Sequence, residues 1–149
     1  MTDEPRSGAD RKADVLAKLS APVADAWVAT AGDDPYLVPL TLAWFGERVL
    51  LATATASRTG RNLTRNGRAR VAPGDTRDVV LIDAVLDETS PVAESGPAGE
   101  AYAEQNDWDP RTAGNGYVFL ALRPERIRAW RNESEISGSL VMRDGVWLF

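Results

Sequence analysis

Five arginines lie close together in a stretch that holds no acid. Between Val49 and Gly74 the chain carries Arg58, Arg61, Arg65, Arg68 and Arg70, although the whole 149-residue sequence is acidic, with 17 Lys+Arg against 22 Asp+Glu and a net charge of −5. A basic stretch in an acidic protein points to a local anion site. It argues against a general polyanion binder, because the acidic remainder would repel a nucleic-acid backbone. Ser57 stands just before the cluster and Gly67 follows Asn66, the signals that start and stop a helix over Arg58 to Asn66. Free N–H groups at such a helix start, a serine cap and arginines together attract an anion. At helical spacing Arg58, Arg61, Arg65 and Arg68 share one face. The bland alternative is a solvated face, against which stands the absence of acids at i±4.

The sequence contains no histidine and no cysteine. Ser-His-Asp hydrolysis, His- or thiolate-ligated metals, iron–sulfur clusters and cysteine nucleophiles are therefore excluded. Chemistry is left to carboxylates, hydroxyls, arginine, backbone amides or a borrowed cofactor, and we nominate no catalytic residue and no metal ligand. No run approaches the ~18 apolar residues of a membrane span, and the N-terminus lacks the apolar core of a signal peptide, so a cytoplasmic location without a membrane partner is expected.

The elements that must hold the arginines read as follows. With 44% hydrophobic and 26% charged residues the chain is globular, and its length suits one domain, 9–149, after a disordered tail over 1–8. Asp10 is expected to cap a helix to Leu19. Trp27–Ala31 reads as a strand, stopped by the Gly32–Pro35 turn cluster. From Tyr36 to Phe45 the residues alternate, with Tyr36, Val38, Leu40, Leu42 and Trp44 on one face. Gly46-Glu47 turns the chain into a strand over Arg48–Thr55. Ala69–Pro73 reads as an edge strand because Pro73 cannot donate to a ladder. Arg77–Glu88, apolar on both faces, reads as central. Pro97–Trp108 is a helix, ended by Asp109-Pro110 and Gly114–Gly116. Strands over Tyr117–Leu122 and Ile127–Trp130 flank Pro124, and Asp144-Gly145 closes a last hairpin between Leu140–Arg143 and Val146–Phe149. Trp27 and Trp44 are expected in the core, Asp83 as a buried paired acid, and Arg131–Ile136 as a surface turn. The fold class is mainly β (α+β), a six- to seven-stranded antiparallel barrel with short peripheral helices.

The segments Trp27-Val-Ala-Thr-Ala-Gly32, Pro35-Tyr-Leu-Val-Pro-Leu-Thr41, Phe45-Gly-Glu-Arg-Val-Leu-Leu-Ala-Thr53, Ser57-Arg-Thr-Gly-Arg-Asn-Leu63 and Gly67-Arg-Ala-Arg-Val71 resemble, in order and spacing, the split β-barrel flavin/deazaflavin oxidoreductases. These are relatives of pyridoxamine 5′-phosphate oxidase that bind FMN or the deazaflavin F420. The resemblance covers roughly residues 11–88 and resumes weakly over Tyr117–Trp130. It implies a homodimer with a cofactor, FMN or F420, in a groove between two barrels. The ring would lie along Val38, Pro39, Leu40 and Thr41, and the phosphate would lie by Thr53, Ala54, Ser57, Arg58, Arg61 and Asn62, with Trp130 lent to the groove. Many relatives carry lysine two residues after the serine; Thr59 stands there in this chain, which leaves the phosphate to Arg58 or Arg61.

Three functions compete. The first is an oxidoreductase in which FMN or F420 passes hydride to a small organic substrate. The second is a non-catalytic barrel that stores or senses the same cofactor. The third, an oligonucleotide-binding barrel, ranks below both, because no aromatic residue lies between Leu50 and Gly74 to stack on bases, so no nucleic-acid partner is expected.

Overall fold

The computed structural model describes residues 4–113 and 116–149. Its element order is α1 (Gly8–Leu19), β1 (Ala24–Ala31), β2 (Pro35–Phe45), β3 (Arg48–Ala54), α2 (Arg58–Asn66), β4 (Arg68–Pro73), β5 (Val79–Pro91), α3 (Pro97–Asn106), β6 (Tyr117–Trp130), α4 (Glu133–Ile136), β7 (Leu140–Arg143) and β8 (Val146–Trp147). All pairings are antiparallel in the order β3-β2-β1-β4-β5-β6-β7-β8, and β3 also pairs with β6. That last pairing closes a six-stranded barrel and leaves β7 and β8 as a flap on the C-terminal half of β6. No helix among the described residues is long and apolar enough to cross a membrane.

Alternation decides what fills the barrel. Ala24, Ala26 and Val28 of β1, Leu42 of β2, Val71 of β4, Val80 and Ile82 of β5, and Leu120, Leu122 and Ile127 of β6 all point inward, with Val15 and Leu19 of α1 packed against them. A second cluster lies on the outer face, where Tyr102 of α3 covers Ala43, Leu50, Ala52 and Phe119. Polar side chains of α3 stitch it down. Gln105 accepts from the amide of Trp44 and donates to the carbonyls of Leu19 and Ala21.

Several expectations need correction. Ser7, not Asp10, caps α1, its hydroxyl accepting the Asp10 amide. Within the stretch expected as a tail, Arg6 donates to Glu135 and Asp14. β4 is no edge strand but lies between β1 and β5, and Pro73 is tolerated because the pairing with β5 ends at Val71, which leaves Pro73 only β1 as a neighbour. The two strands expected around Pro124 are one, because a register shift between Asp83 and Ala84 places Pro124 at a bulge. Trp27 is 51% exposed. It falls on the outer face of β1, out of phase with Ala26 and Val28, opposite Pro39 and Ala72. Trp44 does pack, partly buried, against the barrel core. Asp83 also faces outward and is held by Arg70 at 2.6 Å. The presumed surface turn Arg131–Ile136 contains α4, whose Glu135 is 1% exposed. Of the expected break at Gly114–Gly116, Gly114 and Asn115 lie outside the described residues, as do residues 1–3 of the tail.

Candidate functional site

β3 pairs with β2 only over Arg48–Leu51, opposite Phe45–Leu42, and with β6 over Val49–Ala54. Beyond Leu51 it therefore leaves β2. The first part of β2, from Pro35 to Thr41, keeps β1 as its one neighbour and presents an open edge. Pro39 explains part of this arrangement. Lacking an N–H, it fits opposite Trp27 only where its backbone points away from β1, toward the open side. By alternation Leu37, Pro39 and Thr41 direct backbone groups to the open edge, whereas Val38 and Leu40 turn theirs to β1 and their half-buried side chains inward. Of the four β2 residues expected to meet a ring, Pro39 and Thr41 thus offer backbone and Val38 and Leu40 form the wall behind. Thr41 is already partly engaged: its hydroxyl donates to Asp25 at 2.7 Å and its carbonyl accepts from Tyr102.

The other wall is the end of β3 and the start of α2. Ser57 caps α2 as expected, its hydroxyl accepting the Gly60 amide at 3.0 Å and lying 3.0 Å from the Thr53 hydroxyl. Thr53 is buried, so this pair frames the turn at Ala54. Gly60 lets helix and turn meet closely: a Cβ there would sit 3.0 Å from the carbonyl oxygens of Ala54 and Thr55. The amide of Arg61 makes the first intrahelical bond, to Ser57, so the amides of Arg58 and Thr59 precede the helical ladder.

Arg58, Arg61 and Arg65 line a cleft of about 250 Å³ between α2 and the β1–β2 turn, with Gly32, Asp33, Asp34 and Asn62 as the remaining wall. Among the described residues none of these three arginines makes an ion pair within 4.0 Å. The Arg58 guanidinium lies 5.3 Å from the Tyr36 ring centroid. The four-arginine face is shorter than its spacing implied. Gly67 adopts φ +73 and ends α2, so Arg68 opens β4, where it approaches Glu125 at 3.6 Å. Arg70 is bound to Asp83, which holds its guanidinium more firmly protonated than usual. Asn62 is buried and donates to the Thr30 hydroxyl at 3.1 Å, so it ties α2 to β1. Thr59 is buried as well, whereas Arg58 and Arg61 both line the cleft, together with Arg65.

Trp130 is not among the residues that line the arginine cleft. Tyr117 lies opposite Ala54, and Trp130 ends the same strand. It pairs with Val79 and stacks on Arg128 at 4.9 Å. Sequence reasoning missed Tyr36 as a partner of Arg58, and it read Asp33 and Asp34 only as turn formers. Their place across from α2 depends on how β1 and β2 pair, which no local signal carries.

The sequence matches no protein-family model and no curated protein. The fold is shared with several solved structures. One is an F420 reductase, 18% identical over 74% of this chain and 93% of that one, with a TM-score of 0.62. Another is a pyridoxamine 5′-phosphate oxidase candidate from Listeria innocua, 18% identical over 81% and 98%, TM-score 0.61. A third is HutZ, the heme storage protein of Vibrio cholerae, 14% identical over 80% and 94%, TM-score 0.63. The chain thus has the split-barrel fold that its sequence resembles.

Proposed function

We propose that the open edge of β2 and the arginine cleft together hold a flavin-type cofactor, FMN or F420, and that the protein is an oxidoreductase acting on a small organic substrate. The observation that carries this reading is the set of three arginines, Arg58, Arg61 and Arg65, without ion pairs among the described residues, at a helix whose first residue lies over Tyr36 of the half-strand that β3 leaves unpaired. The residues fit such a group: a positively charged pocket for a phosphate lies next to an apolar edge for a flat ring. When bound, the cofactor supplies hydride transfer, which suits a chain without histidine or cysteine. Arg58 and Arg61 bind the phosphate, with the Arg58 and Thr59 amides as further donors. Ser57 and Thr53 hold the turn that aims them. Pro39 and Thr41 align the ring edge, and Val38 and Leu40 back it and exclude water. Arg65, two turns beyond Arg58, carries positive charge past the reach of one phosphate, which favours the acidic tail of F420 over FMN.

The partner in this reading is a second copy of the chain. Trp27 and Leu37, 51% and 59% exposed, form with Pro39, Ala29 and Ala72 an apolar stripe on the outer face of β1, β2 and β4. Covering it gains hydrophobic free energy, and in this reading the second barrel lends its Trp130 to the slot. Storage without turnover is the second reading, supported by the storage role of HutZ on the same fold. Haem itself lacks histidine or cysteine ligands here.

Titration of the tryptophan fluorescence with FMN and with F420 tests the proposal. Saturable quenching by one of them supports it, and reduction of an electron acceptor by the loaded protein separates enzyme from store. Flat curves with both would sink it.

A further inference from the structure

We propose that Tyr102 is a positioning residue of the ligand slot, its hydroxyl fixing the carbonyl of Thr41 at the point where β2 parts from β3. The inference rests on the reading of that slot as a cofactor site.

The direction of the Thr41 backbone follows from its neighbour. Asn106 is inserted between the ends of β1 and β2, accepting from the Ala24 amide at 3.1 Å and donating to the Leu42 carbonyl at 2.9 Å. Leu42 thus spends its backbone on the β1 side, and Thr41, one residue earlier, directs its own to the open side. Pro39, two residues further back, points the same way. The Tyr102 hydroxyl donates to the Thr41 carbonyl at 3.0 Å. The next residue toward the C-terminus, Leu42, is already paired with Leu51 of β3. The bond therefore marks the closed end of the slot.

Tyr102 is suited to hold a strand still. It is fully buried, with its ring edge-on to Phe119 at 5.1 Å and to Trp108 at 6.0 Å, so the hydroxyl has one direction. Burial, with a smaller contribution from the charge of Asp25, pushes its phenol above the usual range, so it stays a donor wherever the protein is folded. Thr41 is also gripped from the β1 side, through its hydroxyl on Asp25. With carbonyl and side chain both engaged, the Thr41 amide is left facing the slot at a fixed height. Leu37 and Pro39 have no second strand to hold them, so the pitch of this half-strand is set from the Thr41 end.

Tyr102→Phe keeps the ring and its packing and removes the donor. In the full-length protein we would measure amide exchange over residues 37–41, the Kd for FMN and for F420, and Tm. Val80→Ala, a change inside the barrel away from the slot, serves as the destabilised control. The expected result is faster exchange over 37–41 than elsewhere in the sheet, and a Kd weakened about fivefold for whichever cofactor the wild type binds. Val80→Ala should lower Tm with Kd unchanged. A Tyr102→Phe protein that loses Tm but keeps both Kd and local exchange would make the tyrosine merely structural and overturn the proposal. A wild-type chain that binds neither cofactor would overturn the slot reading itself, a different and separately visible failure.

Discussion

Glu135 offers the most direct test of how the chain is tied together. Its carboxylate receives the Arg6 amide at 2.8 Å, the Arg6 guanidinium at 2.9 and 2.7 Å, and the Arg131 amide at 2.8 Å. The Arg6 side-chain bonds outweigh the opposing effect of burial and hold its pKa down to about 2, from an ordinary 4.5. At 1.36 kcal/mol per unit, that depression corresponds to about 3 kcal/mol of stability. A depressed acid contributes fully above its unfolded pKa and loses that contribution as pH falls toward its folded value. Stability should therefore decline between about pH 5 and pH 2 on this account. Glu135→Gln removes the charge, leaves Arg6 half-paired and should lower Tm at pH 7 by roughly 6–12 °C, taking 2–4 °C per kcal/mol for a chain of this size. The assay is thermal unfolding by circular dichroism at several pH values for both proteins. Wild type and variant should converge as pH falls. A variant within 2 °C of wild type at pH 7, or one whose Tm falls in parallel with the wild type down to pH 3, would refute the reasoning.

Three further outcomes follow from single features. Val23 adopts φ +57 while 56% exposed, an uncommon strain for a β-branched residue, so Val23→Gly should raise stability by about 1 kcal/mol, measured by urea unfolding. Arg61→Ala should weaken cofactor binding by about 1.5–3 kcal/mol in the fluorescence titration, with a smaller loss at high salt, and an unchanged Kd would remove Arg61 from the phosphate site. Trp130→Ala and Arg61→Ala, each weak in binding alone, should recover up to one intact site per dimer when mixed and re-equilibrated; no recovery would place Trp130 outside the slot.

What was legible beforehand was what local chemistry decides. α2 runs from Arg58 to Asn66, as expected, because Ser57 and Gly67 carry both cap signals within the segment. The hairpin turns at Gly46-Glu47 and Asp144-Gly145 were legible for the same reason, all four residues adopting the positive φ that such turns require. At α1 two capping residue types stand three apart, and Ser7 takes the amide of Asp10, so residue type alone could not choose between them. Trp27 could not be placed because Ala26, Val28 and Ala29 make both faces of β1 apolar, and only the pairing with β2 and β4 decides which is inside. Glu135 was out of reach, since its partner Arg6 is 129 residues away. The candidate site divides along the same line: its helix cap and arginines were visible, while the fates of Arg68, Asn62 and Thr59 depended on where α2 ended and which face it buried.

The unpaired half of β2 is costly to leave in place. The β3–β6 pairing closes the barrel, yet Pro35–Thr41 keeps its outward backbone groups beside the exposed Leu37. Such an edge invites a foreign strand, and this chain guards it: Pro39 withholds a donor, and Arg58 lies across the Tyr36 ring near its start. Closing the edge would have needed only that β3 stay with β2 for a few more residues. It leaves instead to pair with β6, and in doing so it delivers Ser57 and the start of α2 to the gap. The departure that opens the strand is the one that leads into Ser57 and α2, which is why the proposed function joins edge and arginines as two halves of one site.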